Sequence, residues 1–130
     1  MRDDHASGNL FATESADDGM TWSRPEMTDI PDAKAKSAVV NLSDGRVVLV
    51  SNPILELRRR VLTVLVSDNG KVFDRGAILH EHKAIGDARP RGNAGWQYPS
   101  AVEHNGNLWL TCSETKHDII VAQIPIRALP

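Results

Sequence analysis

Ser15-Ala16-Asp17-Asp18-Gly19-Met20-Thr21-Trp22 is the stretch whose reading decides the fold. It has the form S-x-D-x-G-x-T-W and separates two strand-like runs. Gly19 is free to take the positive φ that a tight hairpin needs. Ser15 and Asp17 carry short polar side chains that bond to nearby backbone N–H groups and close a turn from inside. Trp22 is expected to fold back onto apolar surface between sheets. A turn whose polar atoms are all engaged internally is a structural device and not a catalyst.

Outward from this turn, helical periodicity is nearly absent. Short apolar runs recur instead, bounded by Gly, Asn, Asp and Pro. They predict strands at Asn9–Glu14, Trp22–Met27, Ser37–Leu42, Arg46–Ser51, Leu62–Ser67, Val72–Leu79, Tyr98–His104, Asn107–Ser113 and Ile119–Ile124. Asp44-Gly45 and Asn105-Gly106 are hairpin dipeptides that favour primed turns. Many short antiparallel strands point to a sandwich, barrel or propeller. Internal repeats favour the last. Asp68-Asn69-Gly70-Lys71-Val72-Phe73 repeats the D-x-G-x-x-aromatic of the first turn, with Asp68 set against Asp17 at a distance of 51 positions. In that alignment Val66 stands where Ser is expected and Phe73 replaces Trp22. The run from Ser37 to Leu49 likewise parallels the run from Ser100 to Leu110. A period of roughly 50 residues with four strands each is a propeller blade.

Size and charge exclude several classes. The chain has 130 residues, one domain at most, with 41% apolar and 25% charged residues and a formal net charge of −2. Nothing in that balance argues for nucleic acid or a membrane surface. No apolar run approaches the ~20 residues that span a bilayer. Met1-Arg2-Asp3-Asp4-His5 is polar and has no signal-peptide core, which leaves the compartment open. The single Cys112 has no internal disulfide partner.

Ser15, Asp17, Gly19, Thr21 and Trp22 match all five defining positions of the Asp-box, the repeat of the sialidase (neuraminidase) family. The chain resembles the C-terminal part of a six-bladed sialidase-like propeller over nearly all its length. The resemblance implies an all-β partial propeller of about two and a half blades. Residues 1–30 would end one blade, 37–79 would form a full blade and 96–126 the last. It implies removal of a terminal α-linked sialic acid or related acidic sugar in the parent protein, with no metal or organic cofactor.

Sialic acid carries a carboxylate on its anomeric carbon. Guanidinium suits that anion because its planar fork matches a carboxylate bidentately and stays charged. A tyrosine nucleophile avoids the repulsion an acidic one would meet, and sialidases are the tyrosine exception among glycosidases. By resemblance Arg59 corresponds to the family's third arginine, three places before Leu62, with Arg58 and Arg60 as neighbours that share the match. Arg2 corresponds to the second arginine. Tyr98, the only tyrosine, corresponds to the nucleophile, although Pro99 departs from the family's usual Tyr-Ser. Glu114 corresponds loosely to the carboxylate that orients the first arginine. The first arginine, the acid/base Asp and the Glu that activates the tyrosine have no counterpart within 1–130. The expectation is that this chain alone does not turn over a sialoside, since a tyrosine without a base is a poor nucleophile.

Other candidates are weaker. His80-Glu81-His82 offers two alternate ligands on a strand, with no third ligand evident. Asp17-Asp18 suggests calcium, but the turn explains it better. Trp96 and Trp109 are candidates for stacking on sugar rings, although Trp109 sits mid-strand and suits packing between blades. The stretch Glu81 to Gly95, rich in Gly and Arg, reads as a loop between blades or at a pocket rim. A non-catalytic Asp-box module for glycan or protein binding is the alternative function. A repeat unit that oligomerises to complete a ring is a further one. The run Asn9–Glu14 is expected to be an open edge that promotes self-association.

Overall fold

The computed structural model describes Met1, residues 7–82 and residues 94–130. Arg2 and most of the expected Glu81–Gly95 loop lie outside the described residues. Among the described residues nine strands follow one another as β1 (Asn9–Ala12), β2 (Glu26–Pro31), β3 (Ala38–Asn41), β4 (Val47–Ser51), β5 (Val61–Ser67), β6 (Arg75–Glu81), β7 (Trp96–His104), β8 (Asn107–Glu114) and β9 (Asp118–Pro125), before a short 3-10 turn at Ile126–Ala128. They pair as sequential antiparallel meanders, in sheets of two (β1-β2), four (β3-β4-β5-β6) and three (β7-β8-β9) strands. This is an all-β partial propeller. No helix among the described residues is long and apolar enough to cross a membrane.

The four-stranded sheet is covered on both faces, and its sequence shows why. Val48 and Val50 of β4 join Leu62, Val64 and Val66 of β5 against Leu108, Leu110 and Cys112 of β8. The alternate β4 residues, Val47 and Leu49, face the other way. They line a cleft of about 310 Å³ together with Leu10 and Phe11 of the two-stranded sheet. A strand buried on both faces reads as an unbroken apolar run, which is what β4 and β5 are. Burial pushes the Cys112 thiol up to about 11, so it is a core residue and not a nucleophile.

The first Asp-box closes as its residue types require. Ser15 Oγ accepts from the Gly19 N–H at 2.8 Å and donates to Asp17 Oδ1 at 2.8 Å. Asp17 accepts from the Thr21 N–H at 2.8 Å and from the Thr21 hydroxyl at 2.6 Å. These bonds to its charged form hold the Asp17 carboxyl down at about 2. Trp22 departs from expectation. It is 62% exposed, and its indole N–H donates to Gly19 O at 3.1 Å, so the ring folds over its own turn rather than between sheets. Phe73, its counterpart in the second turn, is among the residues that line the inter-sheet cleft.

The second box is corrected in register. Ser67, not Val66, takes the place of Ser15, accepting from the Gly70 N–H at 2.9 Å. Asn69, not Asp68, takes the place of Asp17, accepting from the Lys71 and Val72 N–H groups at 2.8 and 2.9 Å. This turn is one residue shorter between Ser and Gly, so an ungapped alignment puts the wrong acid in the box. Asp68 instead pairs with Arg75. Both boxes also delay the strand that follows. β2 starts at Glu26 and β6 at Arg75, where Trp22 and Val72 were expected, because the box keeps those residues in its turn. Lys71 of the second box meets Glu14 beside the first at 2.9 Å.

The folded-state carboxyl of Asp17 is lowered, so its stabilising contribution is present above the unfolded value of 3.8 and lost as pH falls through about 2. A carboxyl-carbon NMR titration is expected to place Asp17 near 2, whereas Asn69, the matching residue of the second box, does not titrate. Leu62, fully buried between sheets, is expected to cost about 2–5 kcal/mol on substitution by Ala, read by urea unfolding.

Candidate functional site

Between β4 and β5 the chain runs through a turn that carries Arg58, Arg59 and Arg60. Arg58 sits at φ 53. Arg58 and Arg59 line a cavity of about 420 Å³ with Leu55, Ala33 and Lys34, and Lys34 is itself at φ 56. Three cationic residues thus line one concavity, a composition that suits an anionic occupant.

Tyr98 comes from the neighbouring sheet. In the β7–β8 pairing Gln97 faces Ser113 and Ser100 faces Thr111, so Tyr98 and Pro99 together oppose Cys112. This is a β-bulge, which re-aims a side chain out of the regular alternation. Tyr98 takes φ 54 and is 42% exposed, while Pro99 is buried. A bulky residue at positive φ costs about 1–3 kcal/mol and persists only where its surroundings over-determine it. Pro99, the departure from the family pattern, is the buried half of that bulge. The Arg59 guanidinium carbon lies 5.3 Å from the Tyr98 ring centroid, a cation–π contact across the two sheets.

Close backbone approach makes this contact possible. Gly95 is at φ +96, and a Cβ there would fall 2.1 Å from Arg59 O. Asn52, fully buried, donates from Nδ2 to Val61 O at 2.7 Å and to Trp96 O at 3.3 Å. The His82 N–H donates to Arg60 O at 2.7 Å. The Arg59 turn is therefore tied by its backbone to both sheets.

Of the sequence-predicted site residues, Arg59 and Tyr98 come together. Arg2 lies outside the described residues. Glu114 ends β8 and groups with His80 and His82, their ligand atoms lying within 4.8 Å of one another. Trp96 stacks on His80 with centroids 4.3 Å apart and planes 3° from parallel. Burial lowers the pKa of His80 from its usual value, with Glu114 opposing the shift. Asn52 and Lys34 were missed. A single Asn-Pro in a loop signals a turn, and nothing in its spacing announces a bridge between sheets.

These elements define an Asp-box β-propeller module. The family model described as the BNR repeat-like domain matches residues 1–110, and the chain belongs to that family. No curated protein matches the chain.

The Arg59–Tyr98 contact is expected to show a coupling energy of about 0.5–1 kcal/mol in a double-mutant cycle of Arg59→Ala and Tyr98→Ala, measured by urea unfolding. Gly95→Ala is expected to lower stability by more than about 1 kcal/mol in the same assay, because the Arg59 carbonyl has no room to retreat.

Proposed function

We propose that the chain is a sialidase-like module that recognises the carboxylate of a terminal sialic acid or related acidic sugar. The observation that carries the reading is the Arg59 guanidinium, which lines a cation-rich cavity and lies 5.3 Å from the strained, half-exposed Tyr98 ring. In this reading Arg59 grips the carboxylate, with Arg2 as a second arginine. Tyr98 is the group whose hydroxyl oxygen would bond to the anomeric carbon as the leaving oxygen departs. That step needs a carboxylate to take the hydroxyl proton and an acid to protonate the leaving oxygen. Among the described residues Tyr98 has no hydrogen-bonded carboxylate. Recognition, not turnover, is therefore the activity assigned to the chain by itself.

One observation favours a purely binding module. Glu114, the residue matched to arginine support, clusters with His80 and His82 instead. The two readings agree on carboxylate recognition and separate on whether the Tyr98 hydroxyl is needed for anything beyond it.

Titration with free sialic acid and with its methyl ester, followed by NMR, tests the proposal. The acid is expected to bind and the neutral ester to bind at least tenfold more weakly. Arg59→Ala is expected to weaken the acid by about tenfold or more, since a charge-assisted hydrogen bond contributes about 1.5–3 kcal/mol. Tyr98→Phe is expected to keep binding within about threefold, as a residue reserved for bond-making does. Equal binding of acid and ester, or full affinity in Arg59→Ala, would contradict the proposal.

A further inference from the structure

We propose that His80, His82 and Glu114 form a binding site for a divalent transition-metal ion of the zinc class, which clamps the four-stranded sheet to the three-stranded one. His80 lies in β6 and His82 just past its last residue, Glu81, two places further along, the spacing that puts side chains on one side of extended backbone. The register of β5 and β6 shifts beside them, between Leu62 and Thr63, where His80 and Ile78 are the partners and Leu79 is the extra residue. A bulge of this kind bends the strand that carries it. Glu114 arrives from the neighbouring sheet, as the last residue of β8, paired with Trp96 on one side and Asp118 on the other.

The donor set is specific. Two imidazoles and one carboxylate, with a fourth position for water, suit zinc better than calcium or magnesium, which take oxygen ligands. The ligand atoms lie within 4.8 Å of one another. Tetrahedral bonds of about 2.0–2.2 Å set ligand atoms about 3.4 Å apart. In the proposed site, rotation of His82 and Glu114 about their side-chain bonds would supply that contraction. Trp96, stacked flat on His80, restrains the orientation of its ring. His80 Nε2 is buried and makes no hydrogen bond among the described residues, a cost that a ligand on the imidazole removes. The site stands apart from the sialic acid reading. It uses neither Arg59 nor Tyr98, and it gives Glu114 a role of its own.

The test uses the full chain, free of any polyhistidine tag and stripped with chelator. Isothermal titration with Zn²⁺ is expected to give one ion per chain, and Co²⁺ is expected to give the strong visible absorption of a tetrahedral site. His80→Ala, His82→Ala and Glu114→Gln are each expected to weaken Zn²⁺ by at least about tenfold. His104→Ala, outside the cluster, is expected to keep full affinity. Far-UV circular dichroism of each variant separates lost ligation from lost folding, and His82, which lies past the end of β6, gives the variant least prone to unfold. The proposal is overturned by the absence of stoichiometric binding, by a Co²⁺ spectrum of octahedral type, or by wild-type affinity in folded His82→Ala and Glu114→Gln.

Discussion

The structure depends on a buried amide at the mouth of β4. Asn52 links two sheets and the segment that follows the third. Its carbonyl accepts from Ala33 N at 2.8 Å, in the segment that leaves the two-stranded sheet. Its side chain donates to Val61 O in the four-stranded sheet and to Trp96 O in the three-stranded one. Sheets stacked face to face slide easily on apolar side chains alone, because the hydrophobic effect has no direction. Hydrogen bonds in a dry interior do have direction, and leaving such carbonyls unpaired costs about 1–3 kcal/mol each. Asn52 therefore sets how the sheets meet, and the Arg59 turn and the Tyr98 bulge inherit their separation from it.

The Arg59 turn is fixed at successive carbonyls from different directions. Arg59 O lies against Gly95 and 3.5 Å from Asn52 Nδ2, and Arg60 O accepts from His82. A guanidinium on a turn held this way keeps its position over the Tyr98 ring without ordering a flexible loop on binding, which lowers the entropic cost of recognition. Further along the same interface Ser43 donates from both its N–H and its hydroxyl to Glu103, each at 2.6 Å. Arg46 donates to Ile126 O at 3.2 Å. Polar ties thus flank the apolar core at both ends of the seam.

How much of this is legible in the sequence follows from how local each feature is. The first Asp-box is written in eight consecutive residues, and every bond within it runs between neighbours, so its chemistry is readable directly. The second box is equally local, but a turn one residue shorter hides it from an ungapped alignment. Ser67 and Asn69 are the signal, once a one-residue gap is allowed. Strand order follows from alternation and hairpin dipeptides. Exact starts do not, since Trp22 has a strand former's side chain yet serves its own turn. The pairing of Arg59 with Tyr98 joins residues from different sheets, and only the family resemblance pointed to both. The approach of Glu114 to His80 and His82, and the reach of Asn52, are set by packing between sheets, which no periodicity along the chain encodes. The outer face of β9 shows the same limit from the other side. Ile119 is 81% and Val121 61% exposed there, although both are apolar strand formers.

The contact between Arg59 and Tyr98 is the point on which the functional account converges, and nuclear Overhauser effects measure it most directly. Cross-peaks between the Arg59 side-chain protons and the Tyr98 ring protons are predicted in the folded chain, and they are predicted to fade in Asn52→Ala while the strand cross-peaks of β4 and β5 remain. An Arg59 side chain with no cross-peak to Tyr98 in the wild-type chain would contradict the account.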